Sequence, residues 1–118
     1  MADEQPVLVL ISVDPRDSHR ANEAMRIALG IVSGENDVTI VLTGAAVHLL
    51  DADTDDLVDG DDIAKFRAAL RAVDVPFHVE SSAVPSDPDW NSDGHPIVRV
   101  GSAEIAELVR GSRRALVF

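Results

Sequence analysis

The stretch VLVLISVDPRDSHRANEAMRIALGI, residues 7–31, decides the fold class. Val7 to Val13 is a continuous apolar run closed by Asp14-Pro15, which suits a strand buried on both faces of a parallel sheet better than a half-exposed one. Pro15 cannot extend a ladder and ends the strand. Beyond it, Asp17 or Ser18 caps a helix whose apolar residues, Ala21, Ala24, Met25, Ala28, Leu29 and Val32, recur at spacings of 3 and 4 and make one stripe. Gly34 supplies the stop.

The same grammar continues to the end of the chain. Val38 to Leu42 is a second β-rich run closed by Thr43-Gly44, and AAVHLL after it reads as a short helical turn. Asp51 to Asp62 is acidic and predicts a solvated loop. From Asp62 onward Ile63, Phe66, Leu70 and Val73 form a second helical stripe that ends before Pro76. Phe77 to Glu80 reads as strand three, with His78 and Glu80 on its wetter side. Ser81 to Pro96 carries three prolines and predicts an irregular segment. Ile97 to Val100 is strand four, Ser102 caps a third helix through Ile105, Ala106, Leu108 and Val109, and Ala115 to Phe118 is strand five. Strands alternating with helices through short links predict one α/β domain over residues 1–118, a three-layer α/β/α arrangement around an open, mostly parallel five-stranded sheet.

Composition narrows the function. A chain of 118 residues is long enough to bury roughly two-thirds of its unfolded surface without staples. It has no cysteine, which excludes disulfides, thiolate metal sites, iron–sulfur clusters and any thiol nucleophile. A formal net charge of −11 with ten basic residues argues against nucleic acid and anionic membranes as partners, because both need clustered Lys and Arg. Arg almost replaces Lys, and Lys65 is the single lysine. That bias fits a GC-rich genome or a salt-adapted cell. The opening MADEQP has no basic segment before its apolar run, and that run is too short to span a bilayer, so a cytoplasmic protein is expected.

The stretches VLVLISVDPRDSHRANEAMRIALGI, VTIVLTGAAVHLL and VGSAEIAELVRGSRRALVF resemble, nearly end to end, the DsrE/DsrF-like family of the DsrEFH sulfur relay. The resemblance implies a small cytoplasmic α/β subunit that assembles into homo- or hetero-oligomers, with a sulfur-relay protein as partner. It also implies that active subunits carry a persulfide on a cysteine just after strand three. Here that neighbourhood is Glu80-Ser81-Ser82. A serine hydroxyl cannot take up and release sulfur by thiol exchange. The helix that such proteins place after the cysteine is replaced by the proline- and aspartate-rich segment.

In open α/β sheets ligands bind outside the carboxyl ends of the strands, which gathers Asp14, Arg16, Ser18, Thr43, Ser81, Ser82 and Ser102 along one edge. The helix starts at Ser18 and Ser102 offer free N–H groups to an anion, or are ordinary caps. His48, after strand two, is either an acid–base group beside carboxylates or a surface hydrogen-bonding residue. His19 and His78 lack a second ligand at metal spacing. Asp89, Asn91 and Asp93, followed by Gly94, fit the opening half of a calcium loop, yet Val100 stands where the bidentate Glu belongs, so a plain acidic turn competes with a metal site. Trp90 inside it reads as a loop anchor or subunit contact. No cofactor is expected.

Three readings follow. The first is a non-catalytic, oligomeric binding or scaffolding subunit linked to sulfur relay, with AAVHLL and the terminal ALVF as the self-association surface. The second is a small-ligand or anion-binding protein, or an enzyme, using the strand-end crevice with His48, Ser81 and Ser82. The third is a calcium- or salt-responsive structural module.

Overall fold

The computed structural model describes residues 5–118. Five strands, β1 (Val7–Ile11), β2 (Val38–Leu42), β3 (Phe77–Glu80), β4 (Ile97–Val100) and β5 (Arg114–Val117), form one sheet in the order β4-β3-β2-β1-β5. Every pairing is parallel, so the sheet is wholly and not mostly parallel. Three helices connect the strands, α1 (Arg20–Ser33), α2 (Gly60–Ala72) and α3 (Ser102–Arg110). A 3₁₀ turn spans Gly44–Leu50 and a shorter one Ser81–Ala83.

The alternation of side chains along each strand sorts the sheet into two unlike faces. One face carries Val9, Ile11, Ile40, Leu42, Phe77 and Val79, all fully buried, and packs against Met25 of α1, Ile63 and Leu70 of α2, and the 3₁₀ turn. This is the core. The opposite face carries Leu8, Val41, His78 and Val98 and is crossed by α3 alone, a helix of nine residues with no buried member. Leu8 and Val41 are nevertheless fully buried, whereas Val98 is 43% and Val117 65% exposed.

The structure departs from the sequence expectation in several places, the first being α1, which begins at Arg20 with His19, not Asp17 or Ser18, in the cap position. β1 ends at Ile11 and not Val13, because β2 stops at Leu42 and Ser12 keeps only the β5 side, donating its N–H to the Phe118 carbonyl at 2.8 Å. β5 begins at Arg114, paired with Val7. α2 begins at Gly60 and not Asp62, and the acidic stretch before it is not wholly solvated: Leu57 is buried, and the Val58 N–H reaches the Pro15 carbonyl at 2.8 Å. Ser102 is the first residue of α3 and not its cap. Gly101 holds that place, and the Glu104 carboxylate accepts the Gly101 N–H at 3.1 Å. Finally, Ala46, Val47, Leu49 and Leu50 of AAVHLL are core residues and offer nothing to a second subunit.

The β3-to-β4 connection takes the place of a third helix on the core face. The indole N–H of Trp90 donates to the Val47 carbonyl at 2.9 Å, and the Asn91 N–H donates to Leu50 at 2.9 Å. Arg67 of α2 is 6% exposed; its guanidinium donates to the carbonyls of Leu49 (3.0 Å) and Asp51 (2.8 Å) and to the Asp93 carboxylate. His95 lies against Phe77, ring centroids 4.5 Å apart, with Nε2 at 2.9 Å from the Val75 carbonyl. A proline-rich segment without ladder bonds is thus held by side chains from its neighbours.

Candidate functional site

Because the sheet is parallel, all five strand ends lie along one edge. Chains leaving β1, β2 and β3 turn to the core face, while the chain leaving β4 turns to the opposite face into α3. The connections that leave the adjacent strands β3 and β4 therefore diverge, with Glu80-Ser81-Ser82 at the end of one strand and Gly101-Ser102 at the end of the other. The Gly44 N–H donates to the Glu80 carboxylate at 3.0 Å and ties the end of β2 to this point. Gly44 has φ +53°, a conformation that favours glycine, so the turn that presents its N–H depends on the residue type. Ser81 and Ser82 are exposed there, and Ser102 is exposed across the gap.

A second cluster stands beside it. Asp14 grips Arg16 through paired contacts, Nε to Oδ1 at 3.0 Å and Nη2 to Oδ2 at 2.8 Å, and accepts the Arg16 N–H as well. The Arg16 side chain holds the Asp14 carboxyl below its usual range, partly opposed by burial. His48 Nδ1 lies 3.0 Å from Asp51 Oδ1, a pairing that fixes the ring and leaves Nε2 as its other working nitrogen. Asp14 lies within electrostatic reach of His48, and Arg16 within reach of Asp51. A cavity of about 430 Å³ opens next to this dyad, walled by His48, Asp51, Asp56, Asp89 and Trp90.

The predicted site residues thus fall into groups. Asp14, Arg16 and His48 come together; Thr43-Gly44, Ser81 and Ser82 sit near Glu80. Ser18 is used locally, its hydroxyl accepting the Arg20 N–H at 3.1 Å. Asp89, Asn91 and Asp93 do not converge. The Asn91 side chain bonds the backbone of His95 in both directions, at 3.0 and 3.1 Å, and Asp93 holds Arg67. Among the described residues no group of three or more His, Asp or Glu is arranged to hold a metal ion. Two of the three side chains of the calcium-like pattern are thus engaged within the fold, Asn91 by the His95 backbone and Asp93 by Arg67.

Sequence reasoning misses Arg67, Asp51 and His95, and places Glu80 at the end of β3 without its bond to Gly44. Arg67 sits on the buried stripe between Ile63 and Leu70, where a charged residue is itself the signal of a paired interior group. Two histidines are shifted by their surroundings: burial pushes His78 below its ordinary value, partly opposed by the Ile40 backbone, and burial does the same to His95, with Val75 opposing. His78 Nδ1 is shut from solvent with no hydrogen-bond partner.

The chain belongs to the DsrE/DsrF-like family, whose family model matches residues 5–118. The solved structure of the ychN protein from E. coli has the same fold, with a TM-score of 0.76 at 17% identity over 97% of this chain and 99% of that one. No curated protein matches the chain. Among the described residues no helix is long and apolar enough to cross a membrane.

Proposed function

We infer that this chain is a non-catalytic DsrE/DsrF-like subunit, an oligomeric binding or scaffolding protein that works beside a sulfur-relay partner in the cytoplasm. The observation that carries the reading is the position after β3, where Glu80-Ser81-Ser82 stands at the β3/β4 divergence in a chain of this family that has no cysteine. Persulfide chemistry needs a thiolate to attack a sulfur donor and a sulfur that a second thiol can then take. The two methionine thioethers cannot do this. The exposed β5 edge, with Val117 on the thinly covered face, supports self-association in place of AAVHLL.

Two measurements test this reading. Incubated alone with a protein persulfide donor, the chain should show no added sulfur by intact-mass spectrometry, and light scattering at micromolar concentration should show an oligomer. A transferable sulfur adduct overturns the non-catalytic part. A strict monomer overturns the assembly part.

A second reading is favoured by the His48–Asp51 pair at 3.0 Å beside the cavity that holds Trp90. A ring oriented by a carboxylate, with one nitrogen left to face a pocket, is the arrangement of a general base. On this reading the strand-end edge binds a small ligand, and Ser81 and Ser82 are polar contacts to it. A ligand whose chemical-shift footprint centres on His48 and disappears in His48→Gln would support it.

A further inference from the structure

The face crossed by α3 holds a groove of about 440 Å³ between that helix and strands β2, β3 and β4, away from the strand-end edge. Its walls are the apolar side chains of Val98, Val100 and Leu108. Two polar groups, Thr39 and His78, interrupt them. No side-chain hydrogen bond engages the Thr39 hydroxyl among the described residues, and the orphaned Nδ1 of His78 belongs to a ring that lines this groove. Glu104 and Glu107 project from α3 at the rim.

We propose that this groove is a binding site for a small, uncharged or cationic amphiphile, an apolar body carrying a hydrogen-bond donor, and that it rejects anions. The volume lies in the range of pockets that enclose molecules of drug size. Apolar walls supply the attraction, and the neutral His78 ring and the Thr39 hydroxyl are the acceptors that the lining offers to a donor on the ligand. Burial keeps His78 neutral near pH 7, so the ring can accept a hydrogen bond and does not present a second charge. Glu104 and Glu107 are the charged residues of the lining, and although Glu107 also pairs with Arg110, among the described residues no cation lines the groove to receive an anionic head. The thin cover follows from the topology, since one short helix returns across the three strands that separate β4 from β5 and cannot seal the face beneath it.

The probe for this site is phenylnaphthylamine, a neutral aromatic amine that fluoresces in apolar surroundings, compared with the anionic dye anilinonaphthalene sulfonate. Titrated into the intact chain, the amine should give a saturable one-to-one rise, and the sulfonate a weaker one. Val98→Trp fills the groove from a position already 43% exposed, and should weaken the amine by at least about tenfold with an unchanged circular dichroism spectrum. His78→Leu keeps the wall and removes the acceptor, and should raise Kd roughly fivefold. Glu107→Lys lies on the exposed side of α3 and should strengthen the sulfonate. No saturable rise overturns the proposal, as does an equal Kd in wild type and Val98→Trp. Loss of dye binding as chain concentration rises, with a dimer in light scattering that Val98→Trp dissolves, also overturns it by giving the groove to a second copy.

Discussion

Arg67 on α2 reaches across to Asp93 in the β3-to-β4 connection, and from the same guanidinium it donates to the Leu49 and Asp51 carbonyls. One buried cation therefore joins α2, the 3₁₀ turn and a segment that has no ladder or helix of its own. The fork of guanidinium donors suits this task, because a lysine ammonium at that depth cannot serve three acceptors at such separations.

Arg67→Met should destabilise the fold by about 2–3 kcal/mol, since it leaves two interior carbonyls without a donor. Asp93→Asn should cost less than about 1 kcal/mol, because the Asp93 side chain is 53% exposed and the amide still accepts. Urea denaturation of the two variants checks the order. Equal midpoints would mean that the three contacts do not hold the connection.

The readable part of the molecule is the part governed by periodicity. β2, β3 and β4 fall on their expected residues because each is a short stretch rich in β-branched or aromatic residues, with Pro76 before β3, Pro96 and Gly101 on either side of β4, and Thr43-Gly44 after β2. Of the stripe on α1, Ala21, Ala24, Met25 and Ala28 are buried for the same reason, and Leu29 and Val32 are half-buried. What sequence could not supply is which contacts cross the fold. AAVHLL looks like any exposed apolar turn until the Trp90 indole and the Arg67 guanidinium reach its carbonyls and Ala46, Val47, Leu49 and Leu50 are buried, and nothing local in D-x-N-x-D-G shows that Asp93 meets Arg67 of α2. The His48–Asp51 pair is half legible: His48 stands out as a candidate, whereas its carboxylate partner, three residues on, belongs by pattern to the acidic loop.

Two glycines should respond in opposite directions. A β-carbon at Gly60 would meet the Thr54 carbonyl oxygen at 1.9 Å, and that oxygen is backbone held by the Leu57 N–H. Gly60→Ala should therefore cost about 1–3 kcal/mol through forced backbone movement. Gly30 lies inside α1 with open space around it, so Gly30→Ala should add about 0.5–1 kcal/mol by removing unfolded-state freedom. Thermal unfolding of both variants gives the signs directly.

Stability should fall as pH drops below neutrality, well before carboxylates titrate. His78 and His95 are both held below their unfolded value of 6.5, so the folded state favours their neutral forms. Above that value neither state binds the proton and stability is full; as pH falls past it the unfolded chain takes up protons that the folded chain refuses. The slope is at most about 1.4 kcal/mol per pH unit for each group. The groups facing His95 are the carbonyl of Val75, the ring of Phe77 and the cations Arg67 and Arg71 of α2, which add to the depression. Asp14, held low by Arg16, adds a separate loss below 3.8. His95→Gln with His78→Leu should flatten urea midpoints between pH 7 and pH 5, and an unchanged slope in the double variant would count against this account.

Salt should stabilise the chain if its acidity is an adaptation. The formal net charge is −11, and Asp53, Asp55, Asp56, Asp59, Asp61 and Asp62 are exposed and crowded before and at the start of α2. Asp61 and Asp62 are favoured there by the unpaired N–H groups of the first helical turn, and Asp53 accepts the Asp55 N–H at 2.9 Å, but among the described residues no cation offsets the repulsion of the others. Screening shortens the reach of that repulsion from about 10 Å at 0.1 M to about 3 Å at 1 M salt. Melting temperature should therefore climb with KCl, by about 4 °C for each kcal/mol of repulsion relieved. Replacing Asp53, Asp55 and Asp56 together by Asn should raise the curve at low salt and flatten it, because those side chains make no ion pair among the described residues. A wild-type curve that is flat from dilute buffer to molar KCl would make codon bias, and not salt, the origin of the acidic surface.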